Sequence, residues 1–438
     1  MAVASCLMAA AALSSNDKNL SLSAGLEYQT ISQDYYDAII ETTVDTTSQD
    51  LIEVKEILNR TTDQVDDAFL RTNLTYDFRT PHKKVNLISD FEISRDRFLG
   101  RIEGYYTRGN FSKYLRLYGR FENKSPFEEN KNTETGYNNL LAEIKSRLKL
   151  SSSLGLILKG SFENINYTNL PRTVDTTDDG NVIAFSSYNY DYSTFTGRVG
   201  GELALTEIYD NLYWYFQYRH RQVPDSAAAD YDNYRINAEY SGFGDYGNLS
   251  IMTETELKDY RQSGDSDDYL ALYFRTRLIY FLGHNWEGHL NYKLDRCIYR
   301  QEDLINHNNW LISPELKVLK QLNSWQIGPL ARFEMRRESV IDEFSEDYNE
   351  FAVGWALSFF SVSSFFLDSE ISRGHRAYRG TDSIISDYYF WSGSILAGFE
   401  PNSRISFNLM FDSDFEDHDK QDDDTDLYFF SIGLTVHL

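Results

Sequence analysis

The chain has 438 residues, with 67 Asp+Glu against 42 Lys+Arg and a formal net charge of −25. Such a balance repels phosphate backbones and excludes nucleic acid as a partner. Aromatic residues make up 15% of the chain, whereas 7 Pro and 2 Cys exclude a proline-rich disordered protein and a disulfide scaffold. No run approaches the roughly 18 apolar residues of a membrane helix, which excludes a helical membrane protein.

Residues 1–15 (MAVASCLMAAAALSS) form an apolar, Ala-rich stretch with small residues at its end, read as an export signal peptide. No basic segment precedes it, so its true start is expected upstream of Met1. Val3-Ala4-Ser5-Cys6 has the form of a lipobox, with too few residues before it for an apolar core. Cys6 and Cys297 cannot by themselves hold a structural zinc ion or an iron–sulfur cluster. There is also no C-x-x-C-H for a c-type haem.

After residue 17 one pattern recurs nearly to the end: period-2 alternation in segments of about ten to thirteen residues. The stretch 32–64 is expected to be a long first loop. Within it, Leu51, Val54, Ile57 and Leu58 recur at helical spacing, with Asp50 as N-cap, and predict a short helix. Further on, Leu249, Ile251, Thr253, Thr255 and Leu257 alternate with Ser250, Met252, Glu254, Glu256 and Lys258. The same happens for Leu272, Phe274, Thr276 and Leu278 against Tyr273, Arg275 and Arg277. Pro314 and Pro329 fall on the apolar parity of neighbouring segments, where each deletes a ladder donor and predicts a bulge or bend. The last segment alternates Tyr428, Phe430, Ile432, Leu434, Val436 and Leu438 with Ser431, Gly433, Thr435 and His437.

Connections alternate too. Short turns such as Thr80-Pro81-His82-Lys83 and Leu282-Gly283-His284-Asn285 are followed by long acidic stretches such as 175–180, 264–268 and 412–426. One apolar, aromatic face, polar residues opposite, and turns short on one rim only are the signature of a transmembrane β-barrel. Trp214, Trp286, Trp310, Trp325, Trp355 and Trp391 suit the lipid-facing side and its interfaces. In lipid every backbone N–H and C=O must pair internally, which a closed sheet achieves.

The expected fold is therefore all-β: one closed antiparallel barrel over 16–438, with short periplasmic turns and long acidic extracellular loops. About twenty strands are expected, or about sixteen to eighteen if weak early segments merge. The leader, the two-rim pattern and the terminal strand 427–438 together resemble bacterial outer-membrane β-barrels of the porin-like type. Leu438 stands where such barrels usually end in Phe. The resemblance implies the bacterial outer membrane as location, lipid and lipopolysaccharide as surroundings, and passive passage of small solutes or ions as function. The first strand follows the leader directly, so no N-terminal plug domain is expected.

The polar parity collects about 20 of the 42 basic residues but only about 18 of the 67 acids, so the wall is nearly neutral and the loops carry the charge. The lumen candidates are Glu254, Glu256, Arg275, Arg277, Glu287, Lys293, Glu315, Lys317, Arg332, Glu334 and Arg336. Glu254 and Glu256 are expected opposite Arg275 and Arg277, and Glu315 and Lys317 opposite Arg332, Glu334 and Arg336, as cross-strand ladders. Asp414, Glu416, Asp422, Asp423 and Asp424 offer oxygen ligands for weak Ca²⁺ or Mg²⁺ sites in an extracellular loop, without EF-hand spacing. No other cofactor is expected. The eight His are dispersed, with neither H-E-x-x-H nor a nucleophile elbow, so the chain is not expected to be an enzyme. Other uses of such a barrel are a sheath around a periplasmic or extracellular multihaem cytochrome partner, an export pore for polysaccharide, or a structural and adhesive surface barrel.

Overall fold

The computed structural model describes residues 18–44, 51–80, 83–94, 97–108, 113–125, 136–169, 174–176, 182–184, 191–206, 210–224, 229–261, 267–302, 307–339, 347–361, 364–379, 386–420 and 424–437. The signal segment 1–15 with Cys6, and Asp422 and Asp423, lie outside these residues.

The elements in chain order are β1 (Lys18–Val44), β2 (Leu51–Thr80), β3 (Lys83–Ile93), β4 (Arg97–Arg108), β5 (Lys113–Lys124), β6 (Gly136–Lys149) and β7 (Leu154–Asn169). A small hairpin follows, β8 (Val174–Thr176) and β9 (Val182–Ala184), apart from the main sheet. Then come β10 (Tyr192–Ala204), β11 (Asn211–Gln222), β12 (Tyr231–Gly244), β13 (Gly247–Tyr260), β14 (Tyr269–Gly283), β15 (Trp286–Tyr299) and β16 (Asn309–Leu322). The ring ends with β17 (Trp325–Glu338), β18 (Tyr348–Phe360), β19 (Phe365–Tyr378), β20 (Tyr388–Asn402), β21 (Ile405–His418) and β22 (Thr425–His437). Sequence neighbours pair antiparallel, β7 pairs with β10, and β1 pairs with β22 from Ser23↔His437 to Tyr35↔Thr425. The result is a closed 20-strand antiparallel β-barrel, as the alternation predicts.

Alternation decides which way each side chain faces. On β18, Phe351, Val353 and Trp355 are exposed on the outside, Trp355 to 57%, whereas Glu350 is 4% and Ala352 0% exposed on the inside. Of the tryptophans, Trp214, Trp286 and Trp325 lie near the short-connection rim and Trp310 and Trp391 near the other, while Trp355 sits mid-strand.

The short turns follow from local chemistry. Between β14 and β15, His284 and Asn285 both take positive φ, 52° and 63°, which gives a two-residue turn the twist the flanking strands need. The opposite rim has its own recurring device. The Asp or Asn just before a strand accepts, through Oδ1, the backbone N–H at the end of the preceding strand. Asp230 takes Val223 N at 2.6 Å, Asp268 takes Tyr260 N at 2.7 Å, Asn308 takes Tyr299 N at 2.7 Å and Asp387 takes Tyr378 N at 2.7 Å. The carbonyl of the same residue accepts a second N–H from beyond the strand on its other side, as in Arg261 N to Asp230 O at 3.0 Å and Arg300 N to Asp268 O at 2.9 Å. In five places a Tyr follows the Asp (Asp191-Tyr192, Asp230-Tyr231, Asp268-Tyr269, Asp347-Tyr348, Asp387-Tyr388), a repeat that the alternation conceals.

Two expectations are corrected. Residues 32–44 and 51–64 are not a loop and contain no helix: they continue β1 and β2 in unbroken register, Ile31↔Val65 through Thr43↔Glu53. An isolated window of about eleven residues is too short to hold a helix. Here β-branched residues face one another along the register instead, as in Ile39↔Ile57 and Thr42↔Val54. Pro314 and Pro329 interrupt the ladder, with no pairs at 313–314 or 318–319, but they shift no register as a bulge would. Ile312↔Met335 and Glu315↔Arg332 flank Pro314 in the same register that Lys317↔Leu330 and Lys320↔Ile327 keep around Pro329. The strands instead close up beside Pro329, where a Cβ on Gly328 would fall 1.8 Å from the Val318 carbonyl oxygen. Only glycine fits there.

Candidate functional site: the charged inner wall

The inner parity of β13 to β18 carries the lumen candidates, and their partners come largely from strands other than those the sequence suggests. Glu254 faces Tyr273 and Glu256 faces Ala271, while Arg275 and Arg277 face Met252 and Ser250. The expected ladder is therefore displaced along the strand. Alternation fixes the face but not the register, which the long connection 261–268 sets. Glu254 and Glu256 pair backward with Arg235 of β12, at 3.5 and 2.9 Å. Glu254 also accepts from the Tyr215 hydroxyl at 2.8 Å, and Glu256 from Asn233 Nδ2 at 2.6 Å. Arg275 pairs forward with Asp295, which Lys293 also approaches at 3.3 Å. Arg277 has no carboxylate within ion-pair distance among the described residues.

The second ladder is half realised. Glu315 does face Arg332 in register, yet it accepts from Asn291 Nδ2 at 2.8 Å and lies 3.5 Å from Lys317. Arg332 donates instead to Glu350 at 3.0 Å, and Arg376 donates to the same carboxylate at 2.5 Å. Glu334 accepts from the Tyr348 hydroxyl at 2.7 Å, and Arg336 pairs with Glu338 at 3.0 Å. Glu287 lies 3.2 Å from His289 Nε2 and accepts from Gln326 at 3.4 Å. Lys317 reaches over two strands to Glu370 of β19 at 2.5 Å.

Against this paired background some charges stand alone. On β11 and β13, Arg219, Arg221 and Lys258 have no carboxylate within ion-pair distance among the described residues. The Nε atoms of Arg219 and Arg221 are buried without a hydrogen-bond partner. Aromatic rings stand in for acids: Arg221 lies 4.1 Å from the centroid of Tyr192, and Lys258 4.4 Å from Tyr231 and 4.6 Å from Tyr260. On β19 and β21 the sign is reversed. Asp368, Asp412 and Asp414 have no cation within ion-pair distance among the described residues, and Asp368 is held only by the Ser358 hydroxyl at 2.5 Å. Charges of both signs without an ion pair thus line the lumen, the cations of β11 lying half-way round the ring from the acids of β21.

The expected placement of the candidate cation ligands needs correcting. Asp414 and Glu416 belong to β21, not to a loop, and face inward; Glu416 accepts from Thr425 at 3.1 Å and lies 3.2 Å from His418 Nε2. Their alternation with Ser413 and Phe415 is the strand pattern, disguised by the density of acids. Asp424 accepts from His418 N at 2.6 Å, and burial pushes its carboxyl above the usual range. Among the described residues no group of three or more His, Cys, Asp or Glu could hold a metal ion.

No family model and no curated protein matches the chain. Solved structures do. A variant of the ferric enterobactin receptor PfeA of Pseudomonas aeruginosa matches with a TM-score of 0.54 at 9% identity, covering 95% of this chain and 80% of that one. The siderophore receptor PirA of Acinetobacter baumannii matches with a TM-score of 0.53 at 7% identity, covering 95% and 80%. OpdQ of Pseudomonas aeruginosa covers 96% and 98% at 10% identity, with a TM-score of 0.45. At these identities the likeness is one of fold. A closed ring with an apolar outside and an ionic inside has the architecture of a β-barrel of the bacterial outer membrane.

Proposed function

We propose that the barrel is a passive channel for small polar and charged solutes. The observation that carries this reading is the inner wall itself: every main-sheet element makes its extensive contacts with its sheet neighbours, and the face they enclose is lined by ion pairs and by unpaired charges of both signs. A ring of sixteen to eighteen strands is already wide enough to leave an aqueous channel, and twenty strands make a wider one. Along it, Arg219, Arg221 and Lys258 attract anionic groups of a solute and Asp368, Asp412 and Asp414 attract cationic ones. Acid-rich connections at the long rim concentrate cations at the mouth.

Planar-bilayer recording of the purified protein tests this. The expected result is discrete conductance steps with a weak preference for cations. That preference fades toward 1 M salt, where the Debye length is about 3 Å. Replacing Arg219 and Arg221 by Gln should strengthen it, and replacing Asp412 and Asp414 by Asn should weaken it. Protein that shows no steps at any salt concentration would remove the channel reading.

A further inference from the structure

The outside of the ring carries cations of its own, and three of them stand beside tryptophan across a strand boundary. Lys320 faces Trp286 near the short-connection rim, 4.8 Å from the ring centroid. Arg296 faces Trp310, and Arg373 faces Trp391 with its guanidinium 5.2 Å from the ring centroid, both toward the long-connection rim. Arg373 lies five residues below Tyr378, the last residue of its strand — deeper than a rim position. Its neighbours on that face, Ile371, Val353 and Trp355, are among the most exposed apolar side chains of the barrel. Two other outer-face cations have acids, Arg261 with Asp232 at 3.3 Å and Arg337 with Asp347 at 3.0 Å, whereas Lys320 and Arg296 have none within ion-pair distance among the described residues. Arg373 has no carboxylate within ion-pair distance among the described residues.

An arginine facing lipid without a counter-charge is unfavourable, increasingly so with depth. The missing anion must therefore come from outside the chain. Beside Arg373 an apolar groove of about 520 Å³ runs along the wall between Val318, Pro329, Val353, Trp355 and Ile371. Pro329, which faces Trp355 in register, is the small member of this outer face, and Trp355 and Trp391 stand along the same groove. A cation with an indole beside it, at the end of a groove wide enough for an acyl chain, is complementary to an acylated, phosphorylated lipid.

We propose that Arg373 and this groove hold one phosphorylated, acylated glycolipid of the lipid A type, its phosphate on the Arg373 guanidinium and one acyl chain along the groove. The choice of glycolipid rests on the long-connection rim facing outward, as under the channel reading; the site does not depend on conductance.

The full-length protein in maltoside detergent would be incubated with bis-phosphorylated lipid A, washed, and examined by native mass spectrometry. Wild-type protein should retain one lipid A. Arg373→Gln should retain at least fivefold less while keeping its folded mobility on an unheated gel and its conductance. Lys320→Gln, at the other rim, should retain lipid A unchanged. Equal retention by Arg373→Gln and wild type, or equal loss in Lys320→Gln, would overturn the site. If Arg373→Gln does not fold, wild-type protein decides. Retention of dephosphorylated lipid A or of phosphatidylglycerol as strong as that of lipid A would overturn the proposal, and clear preference for lipid A would support it.

Discussion

Lys317 Nζ meets Glu370 Oε2 at 2.5 Å although β17 and β18 lie between their strands. Leu330 and Ala356, both buried, form the floor over which the two long side chains reach. Small and tightly packed residues on the intervening strands let this part of the wall be spanned by a chord rather than a ladder.

The chord should behave as a coupled pair. Both side chains keep some solvent, with exposures of 21% and 34%, so their interaction is discounted from a buried one. A double-mutant cycle of Lys317→Met and Glu370→Gln, read from urea unfolding in detergent, should give a coupling of about 1 kcal/mol. The exchanged pair Lys317→Glu with Glu370→Lys should recover most of the loss. Additive singles would show that the contact contributes nothing.

Trp355 and Glu350 share β18 and face opposite ways, so two substitutions there separate lipid from lumen. Trp355→Arg puts a cation on the outer face at mid-strand and should cost about 2–4 kcal/mol, lowering the yield of assembled barrel. Glu350→Gln should still assemble. Because Arg332 and Arg376 both lean on that carboxylate, it should lose about 1–3 kcal/mol in unfolding measurements. Equal failure of assembly for both would contradict the facing of this strand.

The Asp clasps predict a local defect. Asp268→Ala leaves the partly buried Tyr260 N–H without its acceptor, about 1 kcal/mol confined to one hairpin. Limited proteolysis should cut within 261–268 faster, with the strands themselves still protected. Asp268→Asn should cut at the wild-type rate, since Asn308 already does the same job between β15 and β16.

Orientation is testable on intact cells. Epitope tags placed in 176–180 or 418–424, on the long-connection rim, should be surface-accessible, and a tag in 400–403 should not. The reverse pattern would place both chain ends outside the cell.

Much of the fold was legible because the physics of alternation is local. Facing on β13, β14 and β18 follows from counting by two, and the closed ring from rims of unequal connection length. Register is different. It depends on how each long connection closes, which is why Glu254 and Glu256 find Arg235 rather than Arg275 and Arg277. The β1–β2 ribbon was hidden because Leu51, Val54, Ile57 and Leu58 satisfy a helical spacing. What overrides it is the facing strand, whose register partners lie seven to twenty residues away in sequence, from Val44↔Leu51 to Ala38↔Leu58. The placing of the unpaired charges round the ring was invisible for a further reason. A nearly neutral wall by count says nothing about which side of a ring each charge occupies, and that needs the strand order. The Asp-Tyr pair stood in the sequence at five strand starts, but it also occurs at Asp34-Tyr35 within β1, at Asp245-Tyr246 in a turn and at Asp259-Tyr260 at the end of β13, so by itself it does not mark them.

The pairing of β1 with β22 also fixes when the protein can come into being. Ser23 meets His437 only after all the intervening strands are in place. Until then any partial chain has two bare sheet edges, each able to recruit a strand from another molecule. Completion therefore joins two strands that lie far apart in sequence, and until it happens the unpaired edges have to be kept from other molecules. Loss of the final strand alone would leave a molecule with nearly all its parts and no way to seal itself.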